Sequence, residues 1–228
     1  MSSRTSSVVL VSSGLDSAVL LAHEATQFDV RPVYVRSGLA WEAAELRMLS
    51  RLLMSPVYAG LRPLAVIDLP VADVYPADHW ALTGTPPAYD TPDEAVYLVG
   101  RNVTLLAKAG IVAARADARR IVLGPLAGNP FPDATPAFFA AMAEALSRGL
   151  AHVLSIAAPF GTLHKAQVIE LGARLGVPFE LTLSCMNPVD DRHCGRCSKC
   201  RERRDAFAEA AVEDPTPYAA ASPRAADR

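Results

Sequence analysis

The 228-residue chain lacks several features that would fix its class directly. It has no long apolar run: the N-terminal MSSRTSSVVLVSSG carries one arginine and only Val8 to Val11 before polar residues return. That is too short for a signal peptide or a membrane span. It has no charge excess, since 22 basic against 24 acidic residues leave a formal net charge of -2 and no global field towards a nucleic-acid backbone. It has four cysteines, all between Cys185 and Cys200, which excludes a disulfide framework and suits a metal site in a reducing compartment. No GxxxxGK[ST] occurs either, so the common nucleotide P-loop is excluded. These absences predict a cytoplasmic protein with a small-molecule ligand, no membrane and no nucleic-acid partner.

What is present is an apolar fraction of 51%, enough to build a core for one large domain with a small appendage. Val8 to Val11 reads as a strand and Asp16 to Ala25 as a helix; Asp29 to Val35 and Trp41 to Leu53 repeat the pair. Leu64 to Leu69 is a third strand, and Pro70 to Pro92 is an extended loop suited to walling an active site. Helices follow over Asn102 to Ala116 and Thr135 to Gly149, with a strand over Arg119 to Gly124 between them. After the apolar Val153 to Ile156, an amphipathic helix spans His164 to Leu175 and stops at Gly176. Strands alternating with helices predict an α/β, doubly wound, mainly parallel sheet with ligands at its carboxyl edge. The expected division is an α/β domain over 1–183 that carries the turn after the first strand, a four-cysteine segment with a helix near Glu202 to Val212 over 184–213, and a loose tail over 214–228.

Two motifs carry chemistry. In VVLVSSGLDS, Leu10 and Val11 end the strand, Ser12, Ser13 and Ser17 offer hydroxyls, Gly14 permits close backbone approach, and Leu15 and Asp16 open the helix. Backbone N–H groups at such a helix start attract anions, and Asp16 suits a Mg2+ held between phosphate oxygens. A plain strand-to-helix connection with a capping serine or aspartate is the bland reading. The second motif is Cys185-x8-Cys194-x2-Cys197-x2-Cys200. Four thiolates from one segment complete a tetrahedral zinc shell with no open position, a structural rather than catalytic Zn2+. Free thiols or an iron–sulfur cluster are the competing readings. His193 reads as a solvated loop residue, as does the basic run from Arg192 to Arg204.

In order and spacing, the SSGLDS turn, Val99-Gly100-Arg101-Asn102, the Pro159 to Lys165 stretch with its helix and SCMNPVDDRHCGRCSKC resemble the 7-cyano-7-deazaguanine synthase family of the ATP pyrophosphatase superfamily. The resemblance implies an adenine nucleotide alpha hydrolase-like fold and an ATP-dependent conversion of 7-carboxy-7-deazaguanine and ammonia to the nitrile through adenylated carboxylate and amide. It implies that Leu10 to Ser17 hold ATP, with Gly100, Arg101 and Asn102 near the nucleotide or the deazapurine. Asp16, Ser17, Lys165 and Arg101 are the implied catalytic set, with Lys165 a further phosphate contact. A homodimer is expected from the same resemblance.

For the base, Phe131, Trp41 and Tyr34 are candidates for an apolar wall, and Asp133 for an acceptor of the guanine-like amidine edge. The chain departs from the family pattern at Ser13, where glycine is usual, at Val35 to Trp41, and at Ala134 and Thr135 after the Pro-Asp pair. These departures keep open a diverged paralogue that activates another carboxylate or uses another amine. A tRNA-thiolating relative and a non-catalytic zinc-stabilised binding protein are the readings from other classes.

Overall fold

The computed structural model describes residues 4–221. Its centre is a sheet of five parallel strands, β1 (Ser6–Leu10), β2 (Asp29–Arg36), β3 (Ala65–Asp68), β4 (Arg120–Val122) and β5 (Ser155–Ala157), in the order β3-β2-β1-β4-β5. Between and after them run the helices α1 (Leu15–Ala25), α2 (Glu42–Leu52), α3 (Trp80–Thr83), α4 (Arg101–Arg115), α5 (Pro136–Leu150), α6 (Lys165–Leu175) and α7 (Ser198–Glu209).

The continuous apolar run of β1 is explained by cover on both faces, because successive side chains point to opposite sides of a strand. Val9 and Val11 face a core built with α1, α6 and Phe207 of α7, while Val8 and Leu10 face a second core with α4 and α5. A third cluster joins Trp41, Ala44 and Met48 to Ala81, Leu98 and the four cysteines. The long loop is thereby pinned over α2 as a wall: Ala40 N donates to Ala81 O at 2.9 Å, and Ala88 bridges to Cys197.

Three features differ from the sequence expectation. The long loop contains the short α3, capped by the His79 side chain. α7 begins at Ser198 rather than near Glu202, because Cys197 stands at its N-cap and Cys200 lies in its first turn. The expected loose tail is docked through Ala221, and the remainder of that expected tail lies outside the described residues. Ala219 N donates to His193 O at 2.8 Å, Tyr218 donates to Asp214 at 2.7 Å, and the Arg204 guanidinium sits 3.7 Å from the Tyr218 ring centre. Gly195, at φ +79, is pressed under this segment so closely that a Cβ would lie 2.2 Å from Ala220 O.

α1 and α6 touch at Gly172. A Cβ there would come within 2.6 Å of Val19 Cγ2 and 2.7 Å of Phe179 Cζ, inside a packed core that has no room to yield. Gly172→Ala is expected to destabilise the fold by about 1–3 kcal/mol. The check is a lowered urea midpoint with an unchanged slope.

Candidate active site

A cleft of about 530 Å³ opens at the carboxyl edge of the sheet, where β1 passes into α1 and β4 passes into the loop from Gly124 to Asn129. At β1 the loop is wound on its own hydroxyls. Ser12 N donates to Ser17 Oγ at 2.9 Å, Ser17 Oγ donates to Ser12 O at 2.7 Å, and Gly14 N donates to Ser12 Oγ at 3.0 Å. Ser13 is fully buried and lies outside the left-handed region of backbone space, so serine fits where the family has glycine. Its carbonyl accepts from Leu183 N at 2.7 Å, which fixes the loop against the approach to Cys185.

The expected loop residues divide by role. Ser12, Gly14 and Asp16 line the cleft, while Leu10, Val11, Ser12 and Ser17 border an adjoining pocket of about 290 Å³. Leu15 turns its side chain into the core, and its N–H donates to Ser184 Oγ at 3.4 Å.

The ionic end of the cleft is a chain of charges. Lys165 Nζ lies 3.1 Å from Asp16 Oδ2 and is hydrogen bonded to Glu202 Oε1; Glu202 Oε2 also accepts from Lys199 Nζ at 2.6 Å. Lys199 stands 3.8 Å from Asp93. Asp16 Oδ1 is buried with no hydrogen-bond partner, an acceptor suited to a cation. Burial raises the Asp16 pKa, with Lys165 opposing it. Burial also pushes Glu202 upward, but Lys165 and Lys199 outweigh it and hold the carboxyl at about 2. Lys165 is itself raised, since Asp16 and Glu202 overcome the burial that would discharge it. Lys165 is therefore an ion-paired member of the site rather than a free cation.

The other end of the cleft is aromatic. Trp41 stacks on Trp80 with ring centres 5.7 Å apart, and Phe131 stacks on Tyr97 at 4.8 Å. Arg101 borders both cavities, and its guanidinium makes no hydrogen bond or ion pair among the described residues. Gly100, at φ +75, supplies the turn that starts α4.

One expectation for the base wall is corrected. Tyr34 is a core residue whose hydroxyl donates to Glu45 Oε2 at 2.6 Å, so it does not face the cleft. Asp133 borders the adjoining pocket with one carboxylate oxygen engaged. Its Oδ2 accepts from Asn102 N at 2.9 Å while its carbonyl accepts from Asn102 Nδ2 at 2.9 Å, so the pair fasten the start of α4.

The four cysteines are buried, and their sulfurs lie within 4.8 Å of one another. The separations Cys185–Cys197 of 3.9 Å, Cys194–Cys200 of 3.8 Å and Cys197–Cys200 of 3.5 Å match the edge of about 3.8 Å that a tetrahedral ion with metal–sulfur bonds of about 2.3 Å requires. Backbone N–H groups of Asn187 and Cys194 aim at Cys185 Sγ from 3.3 and 3.2 Å, as donors to a thiolate would. The residues present fit a structural metal with a closed shell. His193 is not solvated as expected: it is 2% exposed, and its Nε2 accepts from Ser184 N at 3.1 Å. Burial, aided by Arg203, pushes its pKa down to about 3, so a neutral ring braces the loop.

Sequence reasoning missed Glu45, Trp80, Lys199 and Glu202. The i, i+3 pairing of Lys199 with Glu202 was the available signal, obscured by the basic run around it.

Cys197→Ser is expected to leave an incomplete shell, dropping bound metal from about one equivalent to well below it and costing stability. Metal analysis of the purified variant beside its melting temperature checks this.

Among the described residues no helix is long and apolar enough to cross a membrane. A protein-family model described as "Queuosine biosynthesis protein QueC" matches residues 6–211. The 7-cyano-7-deazaguanine synthase of Anaeromyxobacter dehalogenans is 37% identical over 93% of this chain and 95% of its own length. The synthase of the same name from Azoarcus sp. is 36% identical over 93% and 96%, and that of Methanopyrus kandleri 37% identical over 72% and 67%. With nearly the whole chain matched and the loop, cleft and cysteine cluster in one site, the chain belongs to the QueC family of queuosine biosynthesis proteins.

Proposed function

We propose that the chain is a 7-cyano-7-deazaguanine synthase, converting 7-carboxy-7-deazaguanine and ammonia to the nitrile with ATP. The observation that carries this reading is the two-ended cleft: a hydroxyl-rich loop with Asp16 and Lys165 at one end, and Trp80, Phe131 and Arg101 at the other. Relatives of nearly the same length carry the synthase name.

The triphosphate lies on the Ser12 to Ser17 loop, whose turn can present N–H groups and hydroxyls. Asp16 Oδ1 and the phosphates are the groups that would hold Mg2+, which when bound offsets the charge developing on the leaving pyrophosphate. A carboxylate oxygen of the substrate attacks the α-phosphorus and pyrophosphate departs. Ammonia then adds to the carbonyl carbon, AMP leaves, and the amide forms. In the second round the amide oxygen attacks the α-phosphorus of a second ATP, pyrophosphate departs and one N–H proton is lost; elimination of AMP with the remaining N–H proton then yields the C≡N bond. The Arg101 guanidinium, unpaired among the described residues, is placed to steer the anionic reactant. Zn2+ on the four thiolates is structural, and no cysteine is left over to carry sulfur, which disfavours thiolation.

Incubation with ATP, ammonium and 7-carboxy-7-deazaguanine, followed by mass spectrometry, is expected to show the nitrile. ATP cleavage with some other acid alone would make the chain a paralogue, and absence of nucleotide binding by folded, metal-loaded protein would make it a binding protein. Asp16→Ala is expected to lower kcat by about 100-fold or more with an unchanged circular dichroism spectrum, as loss of a charge-stabilising group does.

A further inference from the structure

Five carboxylates, Asp16, Glu45, Asp93, Glu202 and Glu209, reach the cleft. Asp16, Asp93 and Glu202 belong to the chain of charges around Lys165 and Lys199. Glu45 stands apart from that chain, in the part of the lining that holds Trp41 and Trp80. It is 7% exposed, with Oε2 taken by the Tyr34 hydroxyl at 2.6 Å. Oε1 makes no hydrogen bond among the described residues and is not sealed in the core, so its open face is the cleft itself. Burial raises the Glu45 pKa, and Arg101 is near enough to oppose that rise.

A buried carboxylate with one oxygen fixed and the other turned into an apolar slot is an acceptor awaiting donors. We propose that Glu45 reads the adjacent N1–H and 2-amino donors of the 7-deazaguanine ring. The Tyr34 hydroxyl positions the carboxylate, and Trp80 and Phe131 wall the ring. A buried acid with an unengaged oxygen beside aromatic walls complements a flat ligand that carries a donor pair at one edge. This assignment rests on the proposed synthase function.

The test is calorimetric binding of 7-carboxy-7-deazaguanine and of its analogue lacking the 2-amino group, to the full chain and to Glu45→Gln, with ATP affinity, melting temperature and metal content measured beside them. The parent is expected to prefer the amino ligand by about tenfold to a hundredfold, the range for a hydrogen bond to a charged group. Glu45→Gln, nearly isosteric, is expected to erase that preference while ATP affinity and metal content hold. Should Glu45→Gln fail to fold, Glu45→Asp withdraws the carboxylate by one methylene and is expected to weaken the amino ligand selectively. Undiminished preference in the folded variant overturns the assignment, and so does lost ATP affinity with the preference intact, which would place adenine on Glu45. A parent that makes nitrile while either of these holds defeats only this inference. A parent that binds neither ligand and makes no nitrile defeats the function reading as well.

Discussion

One ammonium group holds the site together. Lys165, the first residue of α6, sits between Asp16 in the opening turn of α1 and Glu202 in α7. Three helices from distant parts of the chain therefore meet on a single charge, at the mouth of the cleft. A buried ion pair adds little net stability over apolar packing, but removing one partner strands the others. Its value here is geometric: the phosphate-loop aspartate, the α6 lysine and the cysteine-bearing helix share one arrangement.

The cysteine segment is consequently part of the cleft rather than a distant staple. Leu183 pairs with Ser13 through both its N–H and its carbonyl, Ser184 Oγ accepts from Leu15 N, and neutral His193 holds Ser184 N from behind. α7 begins at the last two ligands and carries Lys199 and Glu202 forward from them. Order in the cysteine cluster sets where those two charges stand, and they in turn set Lys165. A cysteine cluster that fits a closed metal shell thereby bears on the ionic end of the cleft.

The strands, most helices and both motifs were legible because they depend on local pattern: β-branched runs, helical periodicity and fixed cysteine spacing. What was not legible depends on partners remote in sequence. Tyr34 looks like a pocket aromatic until its hydroxyl is found on Glu45, and the tie between Asp133 and the start of α4 spans 31 positions. His193 and Tyr218 are far apart along the chain but meet as rings 5.7 Å apart, so a polar loop and a Pro-rich tail bury each other. Glu202 shows the same limit for its second partner, since Lys165 lies 37 positions away and no local window contains both.

The segment from Val35 to Trp41, one of the departures from the family pattern, is internally consistent. Gly38 takes φ +82 to turn the chain out of β2, and Glu42 accepts from the N–H groups of Ser37 and Gly38, closing the turn against the start of α2. That closure fixes the rotation of α2. Trp41 and Glu45, one helical turn apart, then share the face that lines the cleft, while Leu49 and Leu52 face the core. The segment thus brings a tryptophan to the aromatic end of the cleft, one turn before the buried Glu45 carboxylate. The charge chain at the other end is tied instead to α1, α6 and α7 through Asp16, Lys165 and Glu202.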